Sequence, residues 1–498
     1  MHDARGLETL VFTMQGNCKP TSSATSESEV SPNQAVLDFY RCPKEFLDLR
    51  ASGELAANSG YFQFGAGTTC YGRSLKGLAQ PCITSAQSGT LPGATLDGEH
   101  PVLPLNPNEA IENLRLERYP GVQLGRLERV LKSIYYWLRP LTARSIHRYI
   151  QKLRATNWQK KQFPRWPVDT TVETICESLL LLSMQAKGID RIPFIWFWPD
   201  GARGCVSMTH DVETSKGQAF CEELIELDDS YGIKAAYQII PEGRYPVAPE
   251  FLNLLRSHEC EVCVQDLNHD GRLFDERREF LRRAARINEY GRQFGAKGFR
   301  SAILYRKPDW YKDLSFSFDM SIPNVAHLDP QRGGCCTVFP YFIGDILELP
   351  LTTTQDYTLF HVLNERSTDL WKKQIEIILA KSGMVSFIVH PDYIIEPDAQ
   401  AVYRDLLAML AELRKGENLW FALPGAIDEW WRRRSRMSLV KDGEAWRIVG
   451  EGAERAVLAF AKVIEGKLAY ELARRPSATS SKQDRLSNAG LPLLAHEE

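Results

Sequence analysis

The stretch CVSMTHDVETSKGQAF, residues 205–220, decides the fold. Residues 205–208 form a short apolar run that reads as a buried strand. From Ser215 onward the spacing of apolar residues becomes that of an amphipathic helix, which runs to 231 and is stopped by Gly232. The same change of period recurs along the chain. Further strands are predicted at 233–240, 261–264, 298–300, 316–320, 346–351, 384–389 and 420–422, with helices at 249–257, 275–294, 368–380 and 397–413. Strands alternating with helices of this length make a parallel sheet, and seven or eight strands favour a barrel over an open sheet.

In a parallel barrel the chemistry sits where strands end, because the loops there gather side chains from several strands. The strand at 205–208 runs into Thr209, His210, Asp211, Val212 and Glu213. The next sets are Gln265 through Gly271, then Arg300, then His390, Pro391 and Asp392. Asp211 and Glu213 are two residues apart, so on extended backbone both side chains face the same way. Taken singly, each of these residues has an ordinary structural use: an Asp after a strand caps a helix, and an isolated His is a satisfied core residue. Their common position at strand ends is what argues for a site.

These segments resemble the polysaccharide deacetylase family, also called the NodB-homology or carbohydrate esterase 4 family, over about residues 200–395. THDVE (209–213) stands at the family's first acidic motif and QDLNHDG (265–271) at its His-x-x-x-His metal motif. GFRS (298–301) stands at the Arg motif and FIVHPDY (387–393) at the last-strand His motif. The resemblance implies a distorted (β/α) barrel of about seven strands and a metal-dependent hydrolase that removes acetyl groups from a sugar or glycan precursor. It implies Asp211 as general base, His390 as general acid and Arg300 as the residue that orients the base. Glu213, His269 and Gln265 would hold a divalent metal, usually zinc, that polarises the acetyl carbonyl and activates water.

Two positions depart from the family pattern. Val212 replaces the second Asp of the first motif, so that Glu213 must serve in its stead. Gln265 replaces the first metal histidine, and an amide oxygen is a poorer zinc ligand than imidazole. The outcomes are weaker metal binding, recruitment of Asp266, Asp270 or His210 (less readily Cys263), or loss of the metal. In the last case the barrel would be a non-catalytic glycan-binding or scaffold protein. Asp356, in TTTQDYTLF (352–360), either tunes His390 or makes a turn.

Around the barrel, placed at 191–436, the chain reads as a polar leader (1–33) and an N-terminal accessory region (34–190). A small β appendage (437–472) and a polar tail (473–498) follow it. The accessory region is irregular or β-rich at first, then helical, with Leu124, Leu127, Leu131, Ile134 and Leu138 on one face. The appendage opens with a hairpin turning at 441–444. Seven Lys or Arg between 144 and 165 read as a solvated helix face rather than an anion site. A net charge of -3 over 498 residues gives no general attraction to nucleic acid. No secretory signal or membrane-spanning run is evident, and 11 cysteines at irregular spacing fit reduced thiols, which points to the cytoplasm. Cys260 and Cys263 form a CxxC without a second pair at zinc-ribbon spacing. Trp196, Trp198, Trp310, Tyr305 and Tyr311 offer sugar-stacking faces, although packing is the commoner use of such residues.

Overall fold

The computed structural model describes residues 31–52, 55–65, 68–75, 94–97, 100–120 and 158–473. The leucine-rich stripe of 124–138, most of the basic run at 144–165, and nearly all of the leader and tail lie outside the described residues.

At the centre is one nine-stranded α/β sheet. Its strands are β1 (Gly204–Val212), β2 (Ala235–Ile239), β3 (Glu261–Gln265), β4 (Gly298–Arg300), β5 (Phe318–Asp319), β6 (Tyr341–Ile343), β7 (Ile346–Glu348), β8 (Met384–Val389) and β9 (Leu419–Phe421). They lie in the order β6-β7-β5-β4-β3-β2-β1-β8, with β9 also paired to β1. All pairings are parallel except β6 with β7. The helices Ser215–Ser230, Pro249–Ser257, Arg277–Phe294, Asp369–Ala380 and Pro397–Gly416 fall between strands where the apolar period changes. Helix Arg277–Phe294 shows why it forms. Phe280, Ala284, Ile287, Gly291 and Phe294 make its buried face at spacings of three and four, and Gly295, at φ 61°, ends it in the left-handed region.

The sheet curls. Beyond β7 the chain turns toward β8, where Thr353 N and Thr353 Oγ1 donate to Ser386 O at 3.3 and 2.7 Å. In return, Ser386 N donates to Thr352 Oγ1 at 2.9 Å. The sequence suggested eight strands, and β9, expected at 420–422, docks on the foot of β1. The strand it missed is β6, a three-residue antiparallel edge joined to β7 through the turn at Gly344 and Asp345.

Outside the sheet, helices Gln34–Tyr40, Pro107–Arg115 and Thr171–Lys187 pack with short strands, including the hairpin Gly60–Phe64/Thr68–Gly72. Asn106 caps the second helix by accepting from Glu109 N at 3.2 Å, with Pro107 at its first position. The hairpin Ser438–Asp442/Ala445–Val449 forms about Gly443, as the turn residues suggested. Strand Arg191–Ile195, which the sequence reading put at the start of the barrel, pairs instead with Leu458–Ile464 in a separate three-stranded sheet.

Two buried arginines tie these parts together. Among the described residues Arg434 has no carboxylate hydrogen-bond partner. It donates instead to the carbonyls of Phe39, Ile195 and Trp196 at 2.8, 2.8 and 2.9 Å, from two separate stretches of chain. Arg306, in the segment after β4, forms a bidentate pair with Glu117 from the N-terminal region, one bond at 2.6 Å. Both partners are almost fully buried. Among the described residues no helix is long and apolar enough to cross a membrane.

Candidate active site

The last residues of β1 alternate across the sheet. His210 points outward to the helices: its Nδ1 lies 3.0 Å from Val389 O and its Nε2 lies 2.8 Å from Asp228 Oδ2. Tyr403 holds the other Asp228 oxygen at 2.6 Å. This histidine is a satisfied core residue, so it cannot be recruited as a ligand. Asp211 and Glu213 point the other way, into the curl.

Asp211 is buried and held from two sides. Gln265 Nε2 donates to Oδ2 at 2.9 Å, and Arg300 Nη1 pairs with Oδ1. Arg300 is itself fixed by Thr209 Oγ1 at 2.9 Å and Met320 O at 3.0 Å. Arg300 and Gln265 are register partners on β4 and β3, which explains why both reach the same carboxylate.

Glu213 stands between two histidines. Its Oε1 lies 3.0 Å from His269 Nε2 and 3.7 Å from His390 Nε2. Burial alone would raise its carboxyl, but His269, His390 and Arg244 outweigh burial and hold it well below the carboxylate range. At 20% exposure it is the most open of these groups; the side chains of Asp211, Arg300, His269 and His390 are at 5% or less. A ligand entering the curl meets Glu213 first.

His390 is held by Asp356. Its Nδ1 is 2.6 Å from Asp356 Oδ1, and its backbone N donates to Oδ2 at 2.8 Å. Burial would depress this imidazole, yet Asp356, Glu213 and Asp211 carry it up to about 10. It is therefore protonated at neutral pH, with the free Nε2–H directed at the Glu213 side of the site. Asp356 also accepts from Tyr357 N at 2.8 Å, so it both holds the histidine and makes the turn.

Asp270 is committed to Arg283 at 2.7 and 2.9 Å. Asp266 Oδ1 accepts from Leu267 N at 2.7 Å, its Oδ2 is buried without a hydrogen-bond partner, and burial pushes its carboxyl up. Cys263 lies deep in the sheet, where a Cβ on Gly298 would meet its Sγ at 2.7 Å, and burial pushes the thiol far up. Of the aromatic stacking candidates, Trp196, Trp198, Tyr305 and Tyr311 are buried, and Trp310 packs on Phe280 at 5.2 Å. Packing is their use.

One residue of the site had no signal in the sequence. Arg244, in the loop after β2, donates from Nη2 to His269 O at 2.7 Å and lies 3.3 Å from His269 Nδ1. A guanidinium only donates, so Nδ1 is the acceptor and the ring proton sits on Nε2, facing Glu213. That arrangement does not fit a resident zinc. A histidine ligating through Nε2 gives its Nδ1–H to an acceptor, and here Nδ1 faces a donor. Gln265 offers only an amide oxygen, and that atom and His269 Nε2 are both buried without a hydrogen-bond partner. Among the described residues no group of three or more His, Cys, Asp or Glu is placed to hold a metal ion. The expected set of Glu213, His269 and Gln265 thus comes together around the site, but as an ion pair and an amide.

No family model and no curated protein matches the chain. Solved structures do. One is a protein from Mycobacterium smegmatis described as a polysaccharide deacetylase: 15% identity, 48% of this chain and 93% of that one, TM-score 0.38. Another is an allantoinase: 13% identity, 47% and 92%, TM-score 0.37. A third is a mutant of a peptidoglycan deacetylase from Bacillus subtilis: 10% identity, 47% and 93%, TM-score 0.31. The chain is similar to polysaccharide deacetylases over about half its length, and at scores this low its chemistry rests on its own side chains.

Proposed function

We propose that the chain is a hydrolase that removes an acyl group, of the acetyl amide or ester type, from a sugar or glycan precursor. The observation that carries this reading is the pairing of a clamped carboxylate, Asp211, with a protonated imidazole, His390, whose charge Asp211 and Glu213 both favour. A water between them would give its proton to Asp211, whose orientation Arg300 and Gln265 fix. Its oxygen would add to the acyl carbon. The Nε2–H of His390 would then protonate the departing amine or alkoxide, and Asp356 would balance the imidazolium before that transfer. The N–H of His269 and the guanidinium of Arg244 supply positive potential for charge developing on the acyl oxygen. The sugar class is carried over from the order of the sequence motifs.

Acetyl release from N-acetylated and O-acetylated sugar precursors tests the reading, with elemental analysis of the purified protein alongside. Release by the native chain is expected, with a fall of about 10²–10⁴-fold in Asp211→Asn and His390→Gln. Gln265 favours a second reading, a glycan-binding protein without catalysis. Saturable sugar binding that persists in both variants, with no acetyl release from the native chain, would establish it.

A further inference from the structure

We infer that Arg244 stands in for the metal. By donating to His269 Nδ1 it keeps that ring's proton on Nε2, the nitrogen 3.0 Å from Glu213 Oε1, so a guanidinium, an imidazole and a carboxylate lie in line where the family this chain resembles places a cation.

Three observations converge on this. The guanidinium is anchored at both Asn268 O (3.3 Å) and His269 O (2.7 Å), so its approach to Nδ1 is built into the loop. His269 itself is held at φ 55°, in the left-handed region that a non-glycine residue seldom adopts, with its Nε2 3.0 Å from Glu213 Oε1. Gln265 spends its Nε2 on Asp211, which leaves its Oε1 buried and unpartnered, as is His269 Nε2. Each departure from a metal site is small. Together they replace two imidazole lone pairs with an amide oxygen and an N–H. Gln265 and Arg244 form one substitution in two places: restoring a histidine at 265 is insufficient while the guanidinium faces Nδ1. Arg244 is a positioning residue, acting through His269.

The test reads metal affinity and tautomer in the full chain, so its outcome is separate from that of the acetyl-release assay. Calorimetric titration with Zn²⁺ compares the native protein, Gln265→His, Arg244→Gln and the double variant. A glutamine at 244 can accept Nδ1–H through its carbonyl. Zn²⁺ binding at micromolar concentration is expected only in the double variant, at least about tenfold tighter than in Gln265→His. Stoichiometric zinc in the native protein, equal affinity in Gln265→His and the double variant, or no binding in a folded double variant would each overturn the inference. Nitrogen-15 imidazole spectra of the native protein give an independent reading that needs no variant to fold. Nε2–H is expected at His269, and a resting Nδ1–H would sink the idea.

Discussion

Replacing Asp356 with asparagine isolates what holds the proton on His390. The native imidazole is raised from 6.5 to about 10, a difference that corresponds to about 5 kcal/mol at roughly 1.4 kcal/mol per pKa unit. Asp356 is the largest favourable cause, supplying both a charge and a 2.6 Å bond. In Asp356→Asn the charge is gone. The amide nitrogen also faces the backbone N–H of His390, where a carboxylate oxygen had accepted at 2.8 Å. Burial, which lowers the imidazole, then has only Glu213 and Asp211 against it. The folded value lies above the unfolded one in the native chain, so this stabilisation is complete below about pH 6.5. It is lost as the pH rises toward 10. Proton NMR of the His390 ring should show the native residue charged throughout pH 6–9 and the variant losing its proton within that window. Urea titrations should show native stability falling from pH 6.5 to 10 and a flatter profile in the variant. A variant ring still protonated at pH 9, or a native ring titrating near 6.5, would refute the reasoning.

Other changes test neighbouring parts of the structure. Arg300→Met leaves Asp211 charged and buried with only Gln265, and should cost about 3–5 kcal/mol in denaturant titrations besides abolishing acetyl release. Glu117→Ala strands Arg306 in the same way at a similar cost, and adding Arg306→Met should recover most of it. Gly217→Ala puts a methyl 2.3 Å from Asp392 Oδ2, the oxygen that accepts from Glu213 N. It should lower stability by about 1–3 kcal/mol and displace Glu213, seen as a shift of the His269 ring signals. Glu348→Gln acts in the opposite direction. Burial and the adjacent Asp319 hold the Glu348 carboxyl well above its usual range, so the folded state keeps a proton that the unfolded chain releases. Native stability therefore falls as the pH rises past the ordinary carboxylate range. The glutamine variant should melt at a higher temperature at pH 8 and lose that advantage near pH 4.

What could be read from the sequence was periodic. β4 and β8 have the predicted limits, and helices such as Arg277–Phe294 fall within a few residues of them, because burial of one face imposes a spacing visible in the chain. The strand ends were legible for the same reason, and they placed Asp211, Glu213, Gln265, His269, Arg300 and His390 around one site. Contacts that depend on where a loop returns left no trace. Arg244 occupies an ordinary Gly-Arg-Tyr turn, and only the folded loop puts its guanidinium against His269. The same limit explains Arg191–Ile195. Its run, broken by Pro193, was not read as a strand, and its partner lies more than 250 residues away at Leu458–Ile464, where no local pattern names it.

The placement of Arg434 bears on how far this protein can be divided. Its guanidinium is solvated by main-chain oxygens contributed from residues 39, 195 and 196, while the side chain itself belongs to helix Pro424–Arg436. A fragment trimmed to the central sheet and its helices would keep the cation and discard part of its solvation shell. Modular exchange, in which a sheet of this kind is transplanted between unrelated chains, is closed to this protein as long as residue 434 is an arginine. An apolar residue there would be the first step toward making the sheet portable.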